Sequence, residues 1–358
     1  MAYTRRKYSN SEVDNAGLVV IKPIQLFSDE YDKAKGIIDN WRAAHNLPLI
    51  VFRMGLSKKV KVAGGGIVAQ RIKRFRAIKT KLPRLLDSPK YKDIKLSDFQ
   101  DIGGCRAVLE NVKIAEGVVK VFKARRTEHF LVRENNYIDK PKSSTGYRSH
   151  HLIYRYKTKN KKLKSYNNLQ IEVQIRSKLQ HIWATAVESV DTFHREKLKT
   201  NRGDKGWTNF FKLMSSYFAF MEDRPIVPGT PKSMDELKKQ IRKYVSDLDI
   251  ENRLKNLKIY GEAIDTVWKQ LSNKKPLIIL KLDTHDKERP KLSISAFPES
   301  DQKRAEELLS EIEREAEKNE FLDSVLIRVD DVDSLKSAYP NYFLDVGEFM
   351  GHVKGAVS

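Results

Sequence analysis

The stretch Leu169-Gln170-Ile171-Glu172-Val173-Gln174-Ile175-Arg176 alternates apolar and polar residues without a break. A period of two over that length predicts a β-strand with one buried face. Same-face residues on a strand lie roughly 6.7 Å apart, so Glu172, Gln174 and Arg176 form a ruler roughly 13 Å long. A carboxylate at one end and a guanidinium at the other suit a metal-bound polyphosphate. Taken alone, such a pattern is more often a strand with one face in water. The neighbouring sequence decides between the two.

At 358 residues the chain has room for two or more compact units, and 40% hydrophobic with 32% charged residues describes a globular chain with a heavily charged surface. No window is apolar enough to span a bilayer, and the start MAYTRRKYSN lacks a signal-peptide core, so a cytoplasmic protein without a membrane is expected. The single cysteine, Cys105, excludes an internal disulfide framework and a cysteine-built zinc site. The net charge of +21 is unevenly placed. From Lys281 onward there are 11 Lys and Arg against 18 Asp and Glu, a balance of −7; the first 280 residues hold 57 against 29, or +28. Such a field draws polyanions toward the N-terminal part: nucleotides, RNA or DNA.

Along the chain, Ser28 reads as the cap of a helix running toward His45, while residues 1–27 give no firm assignment. Ala63-Gly64-Gly65-Gly66 reads as a flexible joint and is no Walker loop, because the GK[ST] ending is missing. Val68–Leu86 is strongly basic. Ile102–Glu110 and Phe130–Arg133 read as strands, and Asn111–Lys123 as a helix. His151–Tyr156 is expected to pair with the opening stretch around Lys157–Asn168. Leu179–Phe193 carries one apolar stripe at helical spacing. Three prolines and a glycine within Arg224–Pro231 mark a boundary. Met234–Ser272 reads as helical, Pro276–Phe297 as two strands, Ser300–Asn319 as an acidic helix, Ser324–Val329 as a strand, and Asp331–Met350 as helical. The class is α+β, with a mixed sheet in the first two-thirds.

Four patches carry chemistry when taken together. Arg71-Ile72-Lys73 with Ala77-Ile78-Lys79-Thr80-Lys81 sets cations on a helical period that suits a triphosphate. Asp101 stands at a strand mouth, with Gly103-Gly104 allowing close approach and Arg106 following. Tyr137 to Lys142 leads into Gly146-Tyr147-Arg148-Ser149-His150-His151. The fourth patch is the face of Glu172, Gln174 and Arg176. In this order they resemble the synthetase domain of the RelA/SpoT family over roughly residues 45–195: a basic R-x-K segment, a D-x-x-x-x-R strand, a PK…GYxSxH loop and an E-x-Q-x-R strand.

The resemblance implies a nucleotidyltransferase-like mixed β-sheet flanked by helices, which transfers the β,γ-pyrophosphate of ATP to a ribose 3′-hydroxyl. It would place Arg71 and Arg106 about the adenine and Lys73 and Lys81 on the phosphates. Asp101 and Glu172 would bind Mg²⁺, with Glu172 also activating the hydroxyl. Tyr147 would stack on the acceptor base, with His151, Lys142, Gln174 and Arg176 shaping the acceptor side. His150 departs from the family, which commonly has an apolar residue there. The physical chemistry agrees, since pyrophosphoryl transfer needs a hard cation on carboxylates and dense positive charge around the moving group. The hydrolase half of the family is not expected, as only about 45 residues precede the matched region.

Among family members, the chain resembles a toxic subgroup of the CapRel type that modifies the 3′-CCA end of tRNA and carries a fused C-terminal antitoxin domain. The stretches Leu179–Glu188 and Asn40–His45 carry that likeness. So does Tyr339-Pro340-Asn341-Tyr342, which resembles the YxxY motif that plugs the ATP site. The expected layout is a pyrophosphokinase domain at 1–225, connecting helices at 226–275 and a small α+β antitoxin or sensor domain at 276–358. Tyr339 and Tyr342 would be autoinhibitory, ATP and tRNA the substrates, and a phage structural protein, the major capsid protein foremost, the trigger. A monomer is expected. The alternative is a synthetase making (p)ppGpp from GDP or GTP, with a regulatory tail.

Overall fold

The computed structural model describes residues 3–22, 28–89, 91, 93–124, 127–194, 205–255, 277–286, 291–319, 321–329 and 346–358. Its centre is a mixed sheet, built from β1 (Ile67–Ile72), β2 (Gly103–Leu109), β3 (Phe130–Asn136), β4 (His150–Arg155), β5 (Gln170–Ser177), β6 (Leu277–Asp283), β7 (Lys291–Phe297) and β8 (Leu322–Val329). The strand order is β3-β4-β5-β2-β1-β8-β6-β7. β2 and β5 run parallel, and the other neighbouring pairs are antiparallel. The α+β expectation holds.

The opening stretch is β5, and its alternation is the reason for its place. Ile171, Val173 and Ile175 are fully buried, while Glu172 and Gln174 face the other way and are half-buried. Burying three such side chains stabilises the sheet by about 1.5–3 kcal/mol each. The expected pairing with β4 is present, with His151 opposite Gln174 and Tyr154 opposite Ile171. Because β5 also pairs with β2, Gly103 lies opposite Ile171 and Gly104 opposite Glu172. Asp101 therefore stands just ahead of a strand whose neighbour carries Glu172.

Helices cover the sheet: α1 (Asn10–Val20), α2 (Asp29–Ala44), α3 (Asn46–Val62), α4 (Phe75–Leu86), α5 (Val112–Lys123), α6 (Lys178–His194), α7 (Lys205–Met221), α8 (Met234–Asp247), α9 (Gln302–Lys318) and α10 (Gly347–Val357). Ser28 caps α2 as expected, its side chain accepting from the Tyr31 amide at 3.2 Å. Residues 1–27 contain α1, which opens on a full capping box between Ser9 and Glu12. The basic run after Val68 is not one helix. Arg71 lies on β1, Lys73 just beyond it, and Lys79 and Lys81 on α4. The expected helical stretch Met234–Ser272 is broken once, where Leu248 closes α8 and Asp249 takes a left-handed φ of 50°; residues 250–255 are helical again, and 256–272 lie outside the described residues. No described helix is long and apolar enough to cross a membrane.

The C-terminal strands continue the same sheet, because β8 pairs with the free edge of β1 and sets Ile327 opposite Arg71. α9 packs Ala305 and Leu309 onto Leu277, Ile279 and Leu326 of β6 and β8. At the far end, Phe349 of α10 sits among Phe210, Phe211 and Phe218 of α7. Tyr339 and Tyr342 fall outside the described residues, as does most of the 331–350 stretch.

Candidate active site

Arg71 of β1, Arg106 of β2, His151 of β4 and Gln174 of β5 line one space, and Lys142, Thr145 and Tyr147 of the loop between β3 and β4 border it. That loop is fastened by Arg148, which is buried and donates to the carbonyls of Ile138 (2.8 Å) and Pro225 (2.6 Å) and to Ser215 Oγ (3.0 Å). Ser215 in turn donates to the Gly146 carbonyl at 2.6 Å. Gly146 holds φ at 84°, and a Cβ there would stand 3.0 Å from Ser215 Cβ. A side chain at this position would be both strained and crowded. Arg148 is a positioning group that reading the loop as a motif left without a role.

The fastened loop delivers Tyr147 to His151, with the tyrosine hydroxyl 2.8 Å from His151 Nε2. The other ring nitrogen, Nδ1, lies 2.8 Å from Glu172 Oε1. Gln174 Nε2 donates to Glu172 Oε2 at 2.6 Å, so both carboxylate oxygens are engaged. Burial works against charge on His151, but Tyr147 and Glu172 outweigh it, and its pKa is pushed up to about 9. Burial would likewise raise Glu172, yet His151 holds it below the usual carboxylate range. Tyr147 follows the same logic: burial opposes its ionisation, while His151 and Arg176 draw it down. Lys142 completes the group, its ammonium lying 4.8 Å from the centre of the Tyr137 ring and 5.2 Å from that of Tyr147.

A second cluster lies at the mouth of β2. Asp101 accepts from Lys73 at 2.7 Å and from Lys81 at 2.9 Å. Burial would raise Asp101, but the two ammonium groups hold it far below its ordinary value. Lys73 moves down through burial, against the pull of Asp101. The expected phosphate ligands are therefore gathered about the expected metal ligand.

A cavity of about 390 Å³ brings together Arg71, Arg106, Lys142, Tyr147, His151, Gln174 and Arg176, whereas Glu172, Asp101, Lys73 and Lys81 are not among its lining residues. Reading the sequence for motifs missed further lining residues, among them Arg84, Trp183 and Glu188. Trp183 carried a signal, as a large aromatic within the apolar stripe of α6. Arg176 is 3% exposed, and its Nε finds no hydrogen-bond acceptor among the described residues. Burial first, then Arg106, pushes its pKa down. A buried guanidinium in this state favours an arriving anion. A larger cavity of about 570 Å³ lies across α6, beside Gly66, His181 and Glu348, and holds none of the expected site residues.

His150 takes no part in this site. It alternates to the opposite face of β4 and meets Glu134 Oε1 of β3 at 2.8 Å. Burial pushes its pKa down, so the residue that departs from the family pattern is a cross-strand hydrogen-bond partner of Glu134.

Asp101 and Glu172 are the carboxylates that would hold a divalent cation; here Lys73 and Lys81 engage both oxygens of Asp101, and His151 and Gln174 both oxygens of Glu172. Asp101 and Glu172 belong to neighbouring parallel chain segments, close enough that the Asp101 charge works against ionisation of Glu172. Among the described residues no group of three or more His, Cys, Asp or Glu could hold a metal by itself. Two carboxylates completed by substrate phosphates is the arrangement Mg²⁺ favours, and bound there the ion would neutralise charge on the transferred group.

Fold and site together define a nucleotide-dependent group transferase built around a cationic, carboxylate-bearing cleft. Residues 70–196 match the family described as the region found in RelA / SpoT proteins, a span that contains every site residue from Arg71 to Arg176. The chain thus carries a RelA/SpoT domain, and its enzyme class is pyrophosphotransferase. Synthetases of this family generally use Mg²⁺.

Solved structures similar to the chain include small alarmone synthetase 1 from Bacillus subtilis bound to its product pppGpp. It is 20% identical, covers 52% of this chain and 92% of its own, and has a TM-score of 0.43. Small alarmone synthetase 2 from Bacillus subtilis is 25% identical, with coverages of 51% and 93% and a TM-score of 0.41. A GTP pyrophosphokinase family protein from Streptococcus pneumoniae is 21% identical, with coverages of 55% and 91% and a TM-score of 0.39. No curated protein matches the chain.

Proposed function

We propose that the chain transfers the β,γ-pyrophosphate of ATP to the 3′-hydroxyl at the CCA end of tRNA, and so blocks translation. The observation that carries this reading is the Arg176 cavity. A buried guanidinium without an acceptor for its Nε lines the same space as Arg71 and Arg106 on one side and Tyr147 and Lys142 on the other. The arginines suit adenine and phosphate, while the tyrosine ring suits stacking on the terminal base. Glu172 takes the proton of the attacking hydroxyl, and Lys73 and Lys81 stabilise charge on the pyrophosphoryl group as it moves.

The tRNA acceptor is supported by charge. The first 280 residues carry +28, more than a mononucleotide needs, and that excess lends itself to counterion release on a nucleic acid. The acidic C-terminal portion, residues 276–358, acts in this reading as the built-in antitoxin. Tyr339 and Tyr342 would be the residues that block the ATP site, and a phage structural protein, the major capsid protein foremost, would be the trigger that releases them. Such release requires a trigger that binds the open state more tightly than the closed one.

The test uses the full chain with Tyr339→Ala and Tyr342→Ala, incubated with γ-labelled ATP and either tRNA or GDP. Label entering tRNA supports the reading. Label entering only a guanosine nucleotide replaces it with (p)ppGpp synthesis.

A further inference from the structure

Glu313 projects from the buried side of α9, its side chain 4% exposed, which is a costly place for a carboxylate. Its partners account for the cost. Arg42 of α2 meets it as a fork, Nη1 to Oε2 and Nη2 to Oε1, both at 2.7 Å. Arg42 Nε then donates to the Lys73 carbonyl at 2.9 Å, and Glu313 Oε1 accepts from the Phe75 amide at 2.8 Å. The pair thus grips the backbone on both sides of Arg74, at the junction where β1 gives way to α4.

That junction has no cap of its own. Arg74 stands at the cap position of α4 and its side chain makes no capping hydrogen bond. Glu313 supplies one from a distant part of the chain, and its charge complements the helix N-terminus. From the same few residues come the two lysines on Asp101: Lys73 within the gripped turn, and Lys81 from α4. Neighbouring contacts repeat the arrangement. Arg74 pairs with Asp323, Arg76 Nη1 donates to the Leu322 carbonyl at 3.1 Å, and Lys79 lies 3.6 Å from Glu317.

We infer that Glu313 and Arg42 are positioning residues for ATP, and that the acidic C-terminal portion is required to build the phosphate side of the site. This rests on the reading of Lys73 and Lys81 as phosphate ligands. It gives α9 a role opposite to restraint: removal of everything after residue 275 disables ATP binding instead of freeing an active enzyme.

The experiment measures ATP affinity by calorimetry on full chains that all carry Tyr339→Ala and Tyr342→Ala. R42M/E313M replaces the buried ion pair with apolar side chains of similar length, a kind of exchange that commonly preserves stability. It is expected to keep a cooperative melting transition while weakening ATP at least tenfold and leaving the KM for the acceptor unchanged. Glu313→Gln, which retains an acceptor for the Phe75 amide, recovers most of that loss. Arg314→Ala breaks an exposed α9–α2 contact to Asp32 and leaves ATP affinity unaltered. A folded R42M/E313M chain with the parent affinity overturns the inference while the proposed function stands. Should that chain not fold, Glu313→Asp, which keeps the charge and shortens the reach, decides by the same criterion. A parent chain that fails to bind ATP overturns the proposed function and this inference with it.

Discussion

His151 is joined to Glu172 through Nδ1 at 2.8 Å, while its Nε2 meets the Tyr147 hydroxyl at the same distance. One imidazole therefore ties the carboxylate proposed to take the proton to the ring proposed to hold the acceptor. Glu172→Gln leaves the packing of β5 intact and removes the base. Pyrophosphoryl transfer is expected to fall at least a hundredfold, within the usual span for general-base removal. The His151 pKa, pushed up to about 9 by Tyr147 and Glu172 against burial, should also drop in the variant. An imidazole titration followed by NMR reads this directly. An unmoved titration would mean that Glu172 does not hold the imidazole charged.

Tyr147 offers a cleaner separation of ring from hydroxyl. Tyr147→Phe deletes the contact to His151 and keeps an aromatic face, whereas Tyr147→Ala deletes both. If the ring stacks on the acceptor base, the alanine variant loses about 1–3 kcal/mol of acceptor binding that phenylalanine retains. The comparison is made on the acceptor KM, with ATP saturating. Equal losses in the two variants would remove stacking from the account.

Gly103 and Gly104 look equivalent in the sequence and are not. A Cβ on Gly103 would lie 2.8 Å from Ile171 Cδ1 and 3.3 Å from His45 Cβ, whereas one on Gly104 meets nothing nearer than the Glu172 carbonyl at 3.9 Å. Ile171 and His45 are buried, so neither can give way freely. Gly103→Ala is expected to destabilise the protein by about 1–3 kcal/mol, the usual cost of an overpacked core, and Gly104→Ala by much less. Denaturant unfolding of the two variants makes the comparison, and equal costs would refute it.

The sheet was legible because period-two alternation fixes which face each residue takes, and β5 together with β2 and β4 then fixes the site. That Glu172, Gln174 and Arg176 share a face follows from the alternation; the roles expected of them came from the resemblance. The segment after Val68 was harder, since basic residues at helical spacing on a strand followed by a helix look like one helix. α1 had readable signals in Ser9 and Glu12 and in Val13, Ala16 and Val20 at helical spacing, which the sequence reading left unassigned. Glu313 was not legible at all. It reads as one more acid on an acidic helix, and its meaning comes from Arg42 and the Phe75 amide, partners 271 and 238 residues away. Contacts across such separations leave no local periodicity.

His45 gives the chain an acid-sensitive point away from the chemistry. It is 1% exposed, with Nδ1 donating to the Trp41 carbonyl at 2.8 Å and its ring edge-on to the Trp41 indole. Burial pushes its pKa down to about 4, against an unfolded value near 6.5. The folded state thus holds this histidine neutral while the unfolded chain takes up a proton. The sign follows from that difference. Between those two values the unfolded state binds more protons, so the contribution is fully present above about pH 6.5 and is lost as pH falls toward about 4. The loss amounts to about 3 kcal/mol when the whole window is crossed. His45→Gln removes the titrating group, at some cost to stability at neutral pH. Urea unfolding at pH 7 and pH 4.5 should therefore show the parent losing about 2–3 kcal/mol more than the variant between the two conditions. Parallel losses in the two proteins would place the acid sensitivity elsewhere.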